Sequence, residues 1–171
     1  MNIPNRLTTM RMIAVPIVMA LILTEHNILA FILFAAASIT DFLDGYIARK
    51  KNMVSSFGKI MDPLADKLLT IGALICFIQT GLISVWAPMI IISREMFVTS
   101  LRVVASAKGK VIAASMWGKV KTNVQMFAIM FAILFGEKFE LVSSYVLWAA
   151  AIFTVISWIA YIFENAEVFK D

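Results

Sequence analysis

Long apolar runs alternate with short polar clusters along this chain, and their spacing predicts six helices. The lead-in, residues 2–9, is polar and reads as a short interfacial turn or helix that Pro4 can open, since a proline N–H is not needed in a first turn. Apolar residues then fill 10–23, a run that reaches span length only by continuing from the lead-in at a tilt. Glu25, His26 and Asn27 form a turn. A helical crossing takes about 20 residues, so the second helix, from Ile28, is expected to reach Arg49. Asp41 and Asp44 then lie inside it, about 12 and 8 Å from its end at about 1.5 Å per residue. Residues 50–57 read as a polar loop and 58–79 as the third helix, which Pro63 should kink or in which it should mark the start of regular structure. A turn at 81–84 leads to a fourth helix over 86–107, interrupted by Arg94, Glu95 and Arg102. The fifth, about 114–135, follows Lys108-Gly109-Lys110 and carries Lys119, Lys121 and Gln125. A charged turn at 136–141, a sixth helix over 142–163 and a polar tail complete the chain.

Composition turns these helices into membrane spans. The chain of 171 residues suits one domain, 1–171. It is 61% hydrophobic and only 15% charged, with a mean hydropathy of +0.90, which leaves too little polar surface to coat a soluble globule. The fold class expected is therefore an all-α integral membrane protein: six transmembrane helices in a bundle, a short N-terminal interfacial segment, and both termini on one side. Of the 15 Lys and Arg residues, this topology puts all but Lys138 on the side of the termini. Basic residues concentrate in the cytoplasm, so the termini are expected there. The expected location is the cell's plasma membrane. The net charge of +4 follows from this topology and suits anionic headgroups; it calls for no nucleic acid. No signal-peptide cleavage pattern follows Arg6 and Arg11, and no internal repeat or low-complexity segment stands out. Cys76 is the sole cysteine and His26 the sole histidine, which excludes intrachain disulfides and Cys/His metal sites.

Four carboxylates break the apolar pattern. Asp41 and Asp44 are spaced i,i+3, and Asp62 and Asp66 i,i+4, so each pair can share a helix face. Acids embedded in apolar helices are costly and point to function. Oxygen ligands without imidazole or thiolate suit hard cations such as Mg²⁺ or Mn²⁺. One or two such ions would offset the mutual repulsion of the acids and clamp a pyrophosphate. Gly45 and Ala48 share the face of the first pair and leave room for close packing or a nucleotide, and Arg49 offers a guanidinium suited to phosphate. The structural alternative pairs the acids with Arg49, Lys50, Lys51, Lys59 and Lys67 at the membrane edge.

The pattern Asp41-x2-Asp44-Gly45-x2-Ala48-Arg49-x8-Gly58-x3-Asp62-x3-Asp66 resembles the full signature of the CDP-alcohol phosphotransferases, matching at every position over 26 residues. The resemblance implies a six-helix membrane bundle, usually a homodimer, that moves a phosphatidyl group from CDP-diacylglycerol to an alcohol and releases CMP. It implies two divalent cations, Mg²⁺ or Mn²⁺, held by Asp41, Asp44, Asp62 and Asp66. Asp66 would also be the base that deprotonates the attacking hydroxyl. Gly45 and Arg49 would contact the cytidine diphosphate, with Ser55 a further candidate from the following loop. Elementary chemistry agrees, because an alcohol is a poor nucleophile at neutral pH and needs a positioned carboxylate. Charge building on the CMP leaving group needs cations.

Further stretches resemble the branch of the family whose acceptor is glycerol 3-phosphate. They are Asn5-Arg-Leu-Thr8, Ser93-Arg94-Glu95 and Val111-Ile-Ala-Ala-Ser115-x2-Gly118-Lys119-x-Lys121-Thr122-x2-Gln125. Arg94, Arg102, Lys110, Lys119 and Lys121 are the cations available to an acceptor phosphate. Arg94 is the most informative, because it lies near mid-helix where a charge is expensive. The alternatives are pairing with Glu95 for Arg94 and helix-end snorkelling for Lys108 and Lys110. For Arg102, Lys119 and Lys121 the binding and structural readings stand side by side. Asn5 and Thr8 would line the nucleotide cavity by resemblance, or cap the first helix. The methionines and phenylalanines read as packing, and Trp86, Trp148 and Trp158 as packing and interface anchors. Two other functions remain: a sister enzyme that uses inositol phosphate, serine or a lipid as acceptor, and a divalent-cation transporter, which would distribute its acids along a crossing route.

Overall fold

The computed structural model describes residues 3–51, 56–107 and 116–165, with side chains at all of these except 3–7, 41–51, 56–60, 62, 63, 66 and 107. Six helices hold nearly all of the described residues, and no strand occurs among them. They are α1 (Ile3–Leu23), α2 (Asn27–Lys51), α3 (Ser56–Gln79), α4 (Trp86–Ala107), α5 (Met116–Phe135) and α6 (Glu140–Glu164). The described apolar runs each lie within one helix, and polar residues that flank them, such as Lys50, Lys51 and Ser56, extend the helix ends.

The boundaries differ from expectation by one or two residues at several ends. The polar lead-in forms the first turns of α1, which runs unbroken from Ile3 as continuation into the first apolar run requires, with Pro4 in its first turn where a missing N–H costs nothing. Helix α6 begins at Glu140, two residues earlier than expected. Helix α3 begins at Ser56, so Pro63 does not mark the start of regular helix. Helix α2 ends two residues later than expected, at Lys51. Residues 108–115, which include Lys108, Lys110 and the expected start of the fifth helix, lie outside the described residues.

The turns close by local hydrogen bonds. Past α1 the His26 N–H donates to Leu21 O at 2.9 Å, and Glu25 takes a φ of 62°. Past α3, Gly81 takes a φ of 80°, a left-handed conformation that a side chain would oppose, and its N–H donates to Ile78 O at 3.1 Å. Helix α1 lies along both α2 and α3, while α4 and α5 lie along α6, and α2 joins the two groups through α5. Gly72 permits the close approach of α1 to α3. A Cβ there would stand 3.0 Å from Met19 Sδ and 3.3 Å from Val15 Cγ1.

The interior has two unlike halves. In one, Phe34, Leu74, Phe77, Ile91, Ile129, Ile133 and Leu147 form a continuous apolar core. In the other, at the end where α1, α3 and α5 begin and α2, α4 and α6 end, buried positions become polar: Thr8, Arg11, Thr70, Arg94, Lys121, Gln125 and Ser157. The same inward stripe can change character along a single helix. On α5 it reads Lys121, Gln125, Ala128, Ile129, Ala132, Ile133.

The outer surface is apolar. Ile13, Ile28, Ile32, Met89, Phe127, Ile152, Ile159 and Phe163 are among the large side chains exposed there. A contiguous apolar exterior of this kind is what a lipid or protein partner covers. By length and composition, α6 is the one helix among the described residues apolar enough to cross a membrane unaided. The apolar stretches Thr8–Leu23, Asn27–Thr40 and Lys67–Gln79 are shorter.

Candidate functional site

The two aspartate pairs sit on consecutive helices, on either side of the connection 52–55. Asp41 and Asp44 lie in the second half of α2, and Asp62 and Asp66 in the first half of α3. Their side chains, and those of Gly45's neighbour Arg49 and of Asn5, lie outside the described ones, as does all of Ser55. Among the described residues, no group of three or more His, Cys, Asp and Glu forms a metal cluster. Helix α1, which flanks both aspartate helices, turns Thr8 and Arg11 inward, where they are 1% and 3% exposed.

Immediately past Asp66 the described side chains begin an ionic network that joins four helices. Lys67 on α3 donates to Thr99 Oγ1 on α4. The Thr99 hydroxyl in turn donates to the carbonyl of Glu95 at 2.7 Å. Glu95 is the centre of the network. Its carboxylate accepts from Lys121 on α5 and from Arg94 at 3.3 Å, and Lys67 adds positive potential at longer range. Arg94 also reaches α6, donating from Nη2 to Ser157 Oγ at 3.0 Å. Lower on α4, Arg102 donates from Nε to Tyr161 Oη at 3.4 Å, with its guanidinium 5.8 Å from the Tyr161 ring centroid.

Charge and satisfaction together define what this place can bind. Arg94 and Lys121 are buried on either side of the Glu95 carboxylate, and Lys67 stands further off. Among the described residues, Arg94 Nε is buried without a hydrogen-bond partner although both other nitrogens of that guanidinium are engaged. An unused donor in a cationic recess suits a phosphate oxygen.

Of the residues singled out from sequence, the structure brings Arg94 and Lys121 together on Glu95. Arg94 does pair with Glu95, as the structural alternative held, and it keeps a donor beyond that pair. Lys119 is exposed on α5, because two residues along a helix point to different faces. Arg102 is exposed and tied to Tyr161. Sequence reasoning missed Arg11, Thr99 and Ser157 as members of this polar half, and named Lys67 only as a possible partner of the aspartates at the membrane edge. Arg11 had a signal, since it shares a face with Thr8 at i,i+3 inside an apolar run. Ser157 had none, because one hydroxyl in an apolar helix says nothing about what it meets.

A cavity of about 280 Å³ opens at the opposite end, lined by Glu25, Asn27, Glu137 and Glu140 among others. There Asn27 Nδ2 donates to Glu137 Oε2 at 3.1 Å. It touches the far ends of the aspartate helices, at Asn27 on α2 and Phe77 on α3, with apolar core residues such as Phe34 and Leu74 along the same helices before the aspartate positions.

Known proteins repeat the pattern. The family model for CDP-alcohol phosphatidyltransferase matches residues 1–156. A CDP-diacylglycerol–glycerol-3-phosphate 3-phosphatidyltransferase of Bacillus subtilis (strain 168) is 42% identical, over 99% of this chain and 97% of its own. The enzyme of the same name from Rickettsia typhi is 38% identical over 94% of each chain. A probable phosphatidylglycerophosphate synthase of Mycobacterium tuberculosis is 36% identical over 94% of this chain and 80% of its own. With its signature carried on two adjoining helices and these matches running almost end to end, the chain belongs to the CDP-alcohol phosphatidyltransferase family.

Proposed function

We propose that this protein transfers the phosphatidyl group of CDP-diacylglycerol to glycerol 3-phosphate, giving phosphatidylglycerophosphate and CMP, a step of phospholipid biosynthesis. The relatives named for this activity support the reading, and one structural observation carries the choice of acceptor. The network that holds Arg94 and Lys121 on Glu95 reaches α3 at Lys67, the residue after Asp66, and the Arg94 Nε donor, unpartnered among the described residues, is suited to a phosphate that the acceptor itself brings. Serine has no such phosphate, so the recess favours a phosphorylated polyol.

In this mechanism Asp66 accepts the proton of the acceptor hydroxyl as that oxygen attacks the lipid-side phosphorus, and the bond to the CMP oxygen breaks. Arg94 and Lys121 hold the acceptor phosphate, while Glu95 and Ser157 fix the Arg94 plane. Gly45 and Arg49 on α2, with Asn5, Thr8 and Ser55, make up the nucleotide side. The donor set fits a hard cation: four carboxylates on adjoining helices, with neither thiolate nor imidazole near in sequence. Asp41, Asp44, Asp62 and Asp66 would hold two Mg²⁺ or Mn²⁺, which when bound supply charge neutralisation to the pyrophosphate and the leaving group.

The same reading places all six helices across the plasma membrane. At about 1.5 Å per residue, helices of 20 to 25 residues measure about 30–38 Å, enough for a hydrocarbon core of about 30 Å. The aspartate end would face the cytoplasm, and the homodimer implied by the family resemblance belongs to this proposal. A cation transporter is the reading from another class, and the apolar core between the aspartate end and the opposite cavity counts against it.

The test is CMP release by purified protein in detergent with CDP-diacylglycerol and Mg²⁺ or Mn²⁺, one acceptor at a time. Release that requires glycerol 3-phosphate and stops with chelator is the expected result. Release with only a different alcohol would move the protein to a sister branch. No release from folded protein, with Mn²⁺ uptake into vesicles, would favour the transporter.

A further inference from the structure

Gln125 sits one turn beyond Lys121 on the inward stripe of α5, and it is 4% exposed. Among the described residues its Oε1 is buried without a hydrogen-bond partner. Such an orphan normally costs more than a replaced apolar side chain would, so a Gln is unfavourable here unless something else satisfies it. Its position is informative. Lys121, the residue before it on the stripe, belongs to the ionic network of Glu95, and the residues after it, Ala128 and Ile129, belong to the apolar core. Gln125 is thus the last polar group on that stripe, at the floor of the polar half.

Resting on the proposed function, we propose that the Gln125 carboxamide is a specificity-determining residue that hydrogen-bonds the non-reacting secondary hydroxyl of the acceptor. Side chains at i and i+4 lie on one helix face, about 5–6 Å apart at Cβ, so Lys121 and Gln125 can address two groups of one small molecule. A hydroxyl both donates and accepts, so it satisfies the carboxamide in either orientation of the amide. The partner is then a polyol phosphate with a free hydroxyl beside the attacking one, and a site with a buried group reserved for that hydroxyl rejects an analogue without it.

The experiment compares kcat/KM for glycerol 3-phosphate and for 3-hydroxypropyl phosphate, which lacks only the secondary hydroxyl. Wild-type protein is expected to prefer glycerol 3-phosphate by at least ~10-fold. In Gln125→Leu, similar in volume but without polar atoms, the preference should fall to within ~3-fold of parity. A wild-type enzyme that uses the two acceptors equally well would overturn the proposal, and this arm needs no variant to fold. So would a Gln125→Leu enzyme that loses both acceptors in proportion and keeps the preference, since that marks a structural residue. Failure of wild type to turn over glycerol 3-phosphate at all would instead refute the proposed function beneath it.

Discussion

Glu95 receives Arg94 and Lys121 on one carboxylate, and all three lie in the interior rather than at a rim. Removing one partner of a buried pair typically costs about 3–5 kcal/mol, because the other charge is left unpaired. Glu95→Gln should therefore lower the yield and thermal midpoint of folded protein in detergent, and adding Lys121→Met should restore part of that loss. A double-mutant cycle with no coupling between the two would show that the pair has no energetic weight. Arg94→Ala has a different expected signature: KM for glycerol 3-phosphate rises about 10–100-fold, the worth of one or two hydrogen bonds to a charged group. CDP-diacylglycerol affinity should be kept, and steady-state kinetics against each substrate separate these. Asp66→Asn should keep lipid-nucleotide binding while abolishing turnover, and unchanged turnover would refute its role as the base. At this scale the sequence disclosed which residues carry charge in apolar surroundings, since Arg94-Glu95 in an apolar run is conspicuous. It could not disclose that Lys121, 26 residues from Glu95 in the chain, shares that carboxylate with Arg94.

Among the helices, α1 has the most demanding role, because it packs along both aspartate-bearing helices and turns Thr8 and Arg11 toward the polar half. It meets α3 closely at Gly72, where the nearest atoms to an added Cβ belong to the flexible Met19 and the Val15 methyl. Gly72→Ala should thus be tolerated, since Met19 can shift by a few tenths of an ångström. Gly72→Leu has no such outlet and should cost about 1–3 kcal/mol by overpacking, read as a lower thermal midpoint and reduced CMP release. Equal stability of the two variants would mean that α1 and α3 are not pressed together there. The apolar runs made every helix legible, and α4 matches expectation at both ends. The start of α1 was legible in part: the shortness of the run 10–23 called for continuation from the lead-in, and α1 does run from Ile3.

On the scale of the whole molecule, the apolar exterior and the two-part interior make a topology that can be tested with the single cysteine. Cys76 is buried on α3, so a cysteine-free background is obtained with Cys76→Ser. In intact cells Lys138→Cys, in the α5–α6 turn, should react with an impermeant maleimide, and Lys51→Cys, at the aspartate end, should react only after permeabilisation. The reverse pattern would invert the proposed orientation, and equal labelling would deny that the membrane separates the two ends.

Chain pattern alone determined the helical class, the approximate helix ranges and the four-aspartate signature, because hydrophobic period and the cost of charge in apolar surroundings are local properties. Local properties also fix the family, since the signature occupies one continuous stretch. Tertiary structure alone decided which cations meet. Helices α3, α4 and α5 converge on Glu95, α6 brings Ser157 to Arg94 as a support, and among the described residues Arg94 Nε and Gln125 Oε1 stay unpartnered. Those relations depend on how helices distant in sequence are rotated and packed against one another, which is a property of the assembled core and not of any one stretch.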